Sequence, residues 1–260
     1  MKNKDLEKFY DGVYERGEKK HYSKLIFGGK ITEEKRAILD EVSWKEKSVL
    51  DVGCGTGELA YLMAKKGAKS VLGIDYSYSA IHIAKHEYRL PNLSFEKLDV
   101  SDISGHFDVI TVVGVLEHID EPFSLLKWVS TLLRPGGSIM VTCPNWSNAR
   151  GYILQTLRFL FDARITLVDI HYFTPVEFIV WAKKLKMKMT WKTIEQSWGH
   201  GEKLIQDFRK RLPNVLKDLP KSPSSEKINA FIDWIGGHIP SLEGDQKAGG
   251  AVGFYHFKKR

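Results

Sequence analysis

Apolar residues in this chain follow two alternating rhythms. Short runs rich in β-branched and aliphatic residues occur at Val49 to Val52, Val71 to Ile74, Leu93 to Leu98 and Val109 to Val113. Between them, apolar positions recur every three or four residues, as at Leu59, Leu62 and Met63. The runs have the length and composition of strands covered on both faces, and the stretches between have the period of amphipathic helices. Such alternation predicts βαβ units and a parallel sheet. Ser138 to Thr142 supplies a fifth strand, Met187 to Glu195 a sixth, and the alternating Ala251 to Phe257 a seventh.

Capping residues place the helices. Thr32 caps a helix over Ile31 to Val42, Ser77 or Ser79 caps one running to about Tyr88, and Pro122 opens one to Leu133. Arg134-Pro-Gly-Gly is a stop signal, and Thr174-Pro175 is a cap and first-turn pair for a helix to Leu185. Phe9, Tyr10, Val13 and Tyr14 have helical spacing, so an amphipathic helix is expected there. Tyr152 to Phe161 is apolar in almost all directions, which suggests a buried helix or a substrate lid. Helices are expected at Glu202 to Leu212 and Ser225 to Ile235, with Pro213, Pro220 and Pro223 punctuating them. The chain divides into an N-terminal cap segment (1–45), a ligand-binding core (46–145), lid and substrate-side helices (146–186), and closing strands (187–260) with a helical insertion (199–249).

Ser48 to Asp75 organises the rest. It reads as strand, glycine turn, helix and second strand, the first unit of a fold that binds ligands at its strand C-termini. Gly53, Gly55 and Gly57 let the backbone turn sharply and approach a ligand closely. The loop is G-x-G-x-G, with Glu58 where a dinucleotide fingerprint has a third small residue, and no G-K-[ST] follows. Asp51 would repel a pyrophosphate and attract a cation. S-adenosylmethionine meets that demand, with a sulfonium, an ammonium, and a ribose diol for Asp75 to hold.

The run Val49-Leu-Asp-Val-Gly-Cys-Gly-Thr-Gly57 resembles the first motif of class I S-adenosylmethionine-dependent methyltransferases. Leu98-Asp99-Val100 is similar to that family's adenine-contacting motif. Phe107-Asp-Val-Ile110 with Leu116-Glu-His118 resembles its fourth strand and following loop, and Leu132-Leu-Arg-Pro-Gly-Gly137 its turn into strand five. The "PN … H-x-FTP" arrangement, Pro144-Asn145 to His171-Tyr-Phe-Thr-Pro175, is similar to a broad subfamily that includes ubiquinone-type O-methyltransferases. The resemblance implies a Rossmann-like, doubly wound α/β fold. Its seven-stranded sheet would have the last strand antiparallel beside strand six, with N-terminal cap helices and the C-terminal helical insertion added. It implies cofactor contacts from Asp51, Gly53, Cys54, Gly55, Gly57, Asp75, Tyr76, Asp99, Val100, Gly114 and Val115.

Methyl transfer requires positioning and water exclusion, and a base only when the nucleophile arrives protonated. His118, on the crevice side after strand four, is the leading base candidate, and His171 the second. Tyr22, Trp146, Arg150 and Tyr172 are candidates for the substrate side. Some ubiquinone-type enzymes carry a metal-binding E-x-x-E-H here, but Gly114 replaces the first acid, so no metal is expected.

Composition adds boundaries. Cys54 and Cys143 lack a CxxC partner and argue for a reducing, cytoplasmic setting. The start shows no apolar leader, and no stretch is apolar for long enough to span a bilayer, so no membrane association is expected. The net charge of +7 is concentrated between Trp181 and Lys221. Solvated lysines on helix faces account for it; the rival is a macromolecular methyltransferase docking RNA or protein there. A non-catalytic S-adenosylmethionine-binding module is the other alternative, since a glycine loop speaks only for cofactor binding. The favoured reading is methyl transfer to an oxygen or nitrogen of a small molecule.

Overall fold

The computed structural model describes residues 12, 31–166, 168–196, 202–217, 219, 223–238 and 249–259. The expected helix at Phe9 to Tyr14, and Tyr22 with it, lie outside these residues. The elements in chain order are α1 (Glu33–Glu41), β1 (Ser48–Val52), α2 (Glu58–Lys65), β2 (Ser70–Asp75), α3 (Tyr78–Glu87), β3 (Leu93–Lys97), β4 (Phe107–Val113) and α4 (Pro122–Thr131). They continue with β5 (Leu133–Pro144), α5 (Ala149–Phe161), α6 (Pro175–Lys184), β6 (Lys188–Ile194), α7 (Glu202–Leu216), α8 (Ser225–His238) and β7 (Val252–Lys258).

The strands form one seven-stranded sheet in the order β3-β2-β1-β4-β5-β7-β6. Neighbours from β3 to β5 pair in parallel, and β7 is antiparallel to both β5 and β6. Strand alternation sorts side chains between two cores. Leu50, Ile110, Val141 and Tyr255 pack with Leu126 of α4 and Phe178 of α6. Their chain neighbours Val49, Val109, Met140 and Phe254 pack on the opposite face with Ile38 of α1, Met63 of α2 and Ile81 of α3. This is the doubly wound α/β arrangement expected.

The caps act where the sequence predicts. Thr32 Oγ1 accepts Lys35 N–H at 3.2 Å, Ser77 Oγ accepts Ala80 N–H at 3.1 Å, and Thr174 with Glu177 forms a reciprocal capping box. Two details differ from expectation. Arg134-Pro-Gly-Gly does not separate α4 from β5 but forms a bulge inside β5: Phe107 pairs with Leu133 and Val109 with Ser138. Arg134 is held there by Asp108 at 2.9 Å, and the same carboxylate accepts Ser48 N–H at 2.8 Å. Pro213 does not end α7, which runs on to Leu216. Leu212, Val215 and Leu216 are buried in a third core, and that burial outweighs the hydrogen bond the proline removes.

This third core joins α5 to the C-terminal helices. Trp146, Leu154 and Ile165 pack against Leu204, Phe208 and Leu212 of α7 and Ile228 and Ile232 of α8. Asn145 and Asn148 tie the segment to the last strand, each donating from Nδ2 to Gly250 O, at 2.8 and 3.0 Å.

Candidate active site

Three loops meet at the C-terminal edge of the parallel strands. The first leaves β1 through Gly53, Gly55 and Gly57, whose φ values of 70°, 51° and 85° lie in the left-handed region that favours glycine. A side chain at Gly53 would strike Val115 Cγ2 at 2.4 Å, so this loop rests directly against the one after β4. At Gly57 an added Cβ would meet Phe95 at 2.5 Å, so β3 packing itself demands a glycine there. Cys54 is half-buried, donates N–H to Ile74 O at 2.9 Å, and burial pushes its thiol pKa well up. Glu58 pairs with Lys35, tying α2 to α1.

Asp75, at the end of β2, braces this loop. Its Oδ2 accepts Gly55 N–H and its Oδ1 accepts Ser77 N–H, both at 2.9 Å. A carboxylate oxygen can accept more than one hydrogen bond, so the bracing leaves room for a ligand hydroxyl. Tyr76 follows, half-buried. Beyond β3, Asp99 Oδ1 accepts the N–H and hydroxyl of Ser101 at 2.9 and 2.8 Å, capping the turn Val100–Asp102. The Val100 carbonyl accepts Trp128 Nε1–H at 3.0 Å.

Asp51 lies in β1 between β2 and β4 and is 2% exposed. Its Oδ1 accepts the Thr111 hydroxyl at 2.6 Å, while its Oδ2 is buried without a hydrogen-bond partner. Burial pushes its pKa up to about 7; Asp75 adds to the rise, and the Thr111 hydrogen bond and Lys35 oppose it.

The loop after β4 starts at Gly114 (φ 62°) and turns through Leu116–His118. Glu117 is 3% exposed, burial pushes its pKa up to about 8, and its Oε2 has no hydrogen-bond partner. His118 Nε2 lies 3.8 Å from Glu117 Oε1, and Nδ1 lies 3.4 Å from Asp169 Oδ1. Burial holds His118 below the ordinary histidine range, with Asp169 opposing that shift. The imidazole therefore rests neutral between two carboxyl groups.

A methyltransferase-domain family pattern matches residues 27–187, more than half of the chain. The chain belongs to the class I S-adenosylmethionine-dependent methyltransferases. The curated ubiquinone biosynthesis O-methyltransferase of Acinetobacter baylyi is 34% identical over 118 residues, 43% of this chain and 49% of that protein. The protein of the same name from Albidiferax ferrireducens is 40% identical over 108 residues, 39% of this chain and 42% of that one. The chain thus aligns with about half the length of these curated relatives. In fold, the chain is similar to a SAM-dependent methyltransferase from Archaeoglobus fulgidus: TM-score 0.55, 17% identity, 88% of this chain and 95% of that one covered.

The residues present fit the family's cofactor. A buried carboxylate oxygen lacking a donor costs about 1–3 kcal/mol or more, and a neighbouring cation removes that cost. Asp51 is such a group, beside a loop whose glycines allow close backbone approach. Among the described residues, no group of three or more His, Cys, Asp or Glu side chains is arranged to hold a metal.

Of the candidate substrate-side residues, Trp146, Arg150 and Tyr172 lie together at the third core. Trp146 is buried in the third core with its ring edge-on to Tyr172, centroids 4.9 Å apart. The Arg150 guanidinium lies 5.6 Å from the Trp146 ring and its Nε is 3.1 Å from Asp207 Oδ2. His171 Nε2 bonds the Ile119 carbonyl at 2.8 Å, and its ring stacks on Phe173. The basic stretch from Trp181 onward is spread over α6, β6 and α7. Several of its cations meet acids: Lys192 with Glu41 at 3.0 Å, Arg211 with Asp207 at 3.2 Å, and Arg209 with Asp233 at 3.8 Å. The sequence reading did not single out Thr111 or Asp169. Asp169 sits in an irregular segment with no periodicity, and Thr111 looks like any β-branched strand residue.

Proposed function

We propose that this chain transfers the methyl group of S-adenosylmethionine to a hydroxyl of a small molecule, with His118 as general base. One observation carries the reading: a half-buried imidazole held between two carboxyl groups on the loop that touches the glycine loop. The O-methyltransferase names of the relatives support oxygen as the acceptor atom.

When bound, S-adenosylmethionine supplies an electrophilic methyl on a sulfonium leaving group. Asp51 offsets the positive charge, Asp75 accepts from the ribose hydroxyls, and Asp99 and Val100 receive the adenine. Tyr76, Cys54 and the glycine loop line that pocket, with Gly114 and Val115 closing it. His118 takes the proton from the acceptor hydroxyl, and its neutral resting state is the one a base requires. The charge then formed on the ring is stabilised by Asp169. Glu117, with a pKa of about 8, is protonated at neutral pH and adds no second negative charge. Trp146, Arg150, Tyr172 and Tyr22 shape the acceptor side, and His171 fixes the segment that carries Asp169.

The test is a screen of metabolite extracts with purified protein and methyl-labelled S-adenosylmethionine, the products being identified by mass spectrometry. Label in the methyl ether of a small metabolite is expected. Label confined to amines, RNA or protein, or no transfer at all, overturns the proposal.

A further inference from the structure

Asp169 lies in the irregular stretch between α5 and α6, and its position is fixed from two sides. From the sheet side, Glu117 O accepts Ile170 N–H at 2.9 Å and His171 N–H at 3.2 Å, and Ile119 O is bonded by the His171 ring at 2.8 Å. The Thr166 hydroxyl adds a bond to Asp169 O at 3.2 Å. From the insertion side, Arg211 of α7 donates Nη1–H to Ile165 O at 3.1 Å and pairs with Asp207 at 3.2 Å. Asp207 is also 3.1 Å from Arg150 Nε on α5. Asp169 thus lies between the His118 ring and a cluster in which Arg150 and Arg211 share Asp207.

We infer that Asp169 is a positioning residue for His118, and that α5 and α7 hold it in place through Arg150 and Arg211. The inference rests on the reading of His118 as the base. Its physical content is a division of labour. Burial keeps the imidazole neutral at rest, and Asp169 Oδ1, 3.4 Å from Nδ1, limits the cost of charging the ring when it takes a proton. Burial also pushes the Asp169 pKa up; His118 is the largest opposing influence, and Arg150 and Arg211 add to it. The two arginines therefore favour the charged carboxylate. The other acid near the ring is Glu117, which Asp169 and Glu34 of α1 keep protonated in addition to burial. Asp169 is thus the acid beside His118 whose charged form the neighbouring cations favour, whereas the charges that act on Glu117 are both negative. Through Asp169, α7, inserted before the last strand, is linked to the base.

The experiment is a pH titration of histidine ring signals by ¹H–¹⁵N NMR on the full chain, with no acceptor required. The sequence holds nine histidines, and the signal missing in His118→Asn assigns the one of interest. Asp169→Asn should lower the His118 pKa by about one unit or more, the shift an opposite charge at this range confers. Asp169→Glu should restore most of it. In turnover, the ascending limb of the pH profile should move down by the same amount. An unmoved His118 titration in folded Asp169→Asn overturns the inference while leaving the base reading intact. Should that variant fail to fold, Asp169→Ser is read by the same criterion. If His118→Asn leaves kcat unchanged, the base reading fails first and the inference falls with it.

Discussion

Thr111 Oγ1 donates to Asp51 Oδ1 at 2.6 Å, between residues that are partners in the β1–β4 register. Asp51 Oδ2 has no donor, and burial, against the Thr111 hydrogen bond, pushes the group's pKa up to about 7. A bound cation favours the charged form, so cofactor binding is expected to release a proton from Asp51. Calorimetry with S-adenosylmethionine in buffers of different ionisation enthalpy should show nearly one proton released at pH 6 and almost none at pH 8. Affinity should rise with pH, at most about tenfold per unit, and level off above about pH 7. Asp51→Asn should remove both effects.

Asp75 carries two loads. Its hydrogen bonds to Gly55 and Ser77 shape the glycine loop, and its proposed bonds to the ribose hold the ligand. Asp75→Ala is therefore expected to weaken S-adenosylhomocysteine binding by about 1.5–3 kcal/mol and to lower folding stability by about 1–3 kcal/mol. Titration calorimetry and chemical denaturation measure the two separately. Loss of stability with unchanged affinity would assign Asp75 to the loop alone.

Glu117 makes stability depend on pH. Its pKa rises from 4.5 to about 8 on folding, so the unfolded chain gives up this proton more readily. The stabilisation is full below about pH 4.5 and is lost as pH rises through about 8, by an amount on the order of a few kcal/mol. Glu117→Gln, which keeps the shape and cannot ionise, should flatten that slope. Urea denaturation of both proteins at pH 5 and pH 9 reads it out; parallel slopes would place the carboxyl in contact with water.

His118→Asn should lower kcat by about 10²–10⁴ while leaving S-adenosylhomocysteine affinity nearly unchanged, because the ring acts on the acceptor. The ascending limb of the pH profile should disappear with it. A variant with normal kcat would point to a nucleophile that arrives unprotonated, such as an amine. A tenfold loss of cofactor affinity with kcat intact would move His118 to the cofactor pocket.

Much of the fold was legible because its signals are local. The β-branched runs, the caps at Thr32, Ser77 and Thr174, and the glycines at 53, 55 and 57 each act within a few residues, where propensity and turn chemistry operate. The misread places were those where distant packing prevails. Pro213 continues inside α7 because Leu212, Val215 and Leu216 reach a core built by α5 and α8. Arg134 to Gly137 becomes a bulge because Leu133 pairs with Phe107 across the sheet.

The site divides along the same line. The sequence by itself determined the glycine loop, the acids at the ends of β1 and β2, and the Glu117-His118 pair, since each follows a recognisable strand at a set spacing. Only the tertiary structure decided what surrounds them. Thr111 meets Asp51 through strand register, Val115 closes against Gly53 through loop contact, and Asp169 reaches His118 from an irregular segment fifty-one residues further on. Burial raises Asp51 and Glu117 and lowers His118, and burial belongs to the packed sheet and helices together. Spacing along the chain can say which groups share a crevice. Their protonation depends on the dielectric and the charges brought around them, which exist only once the chain has folded.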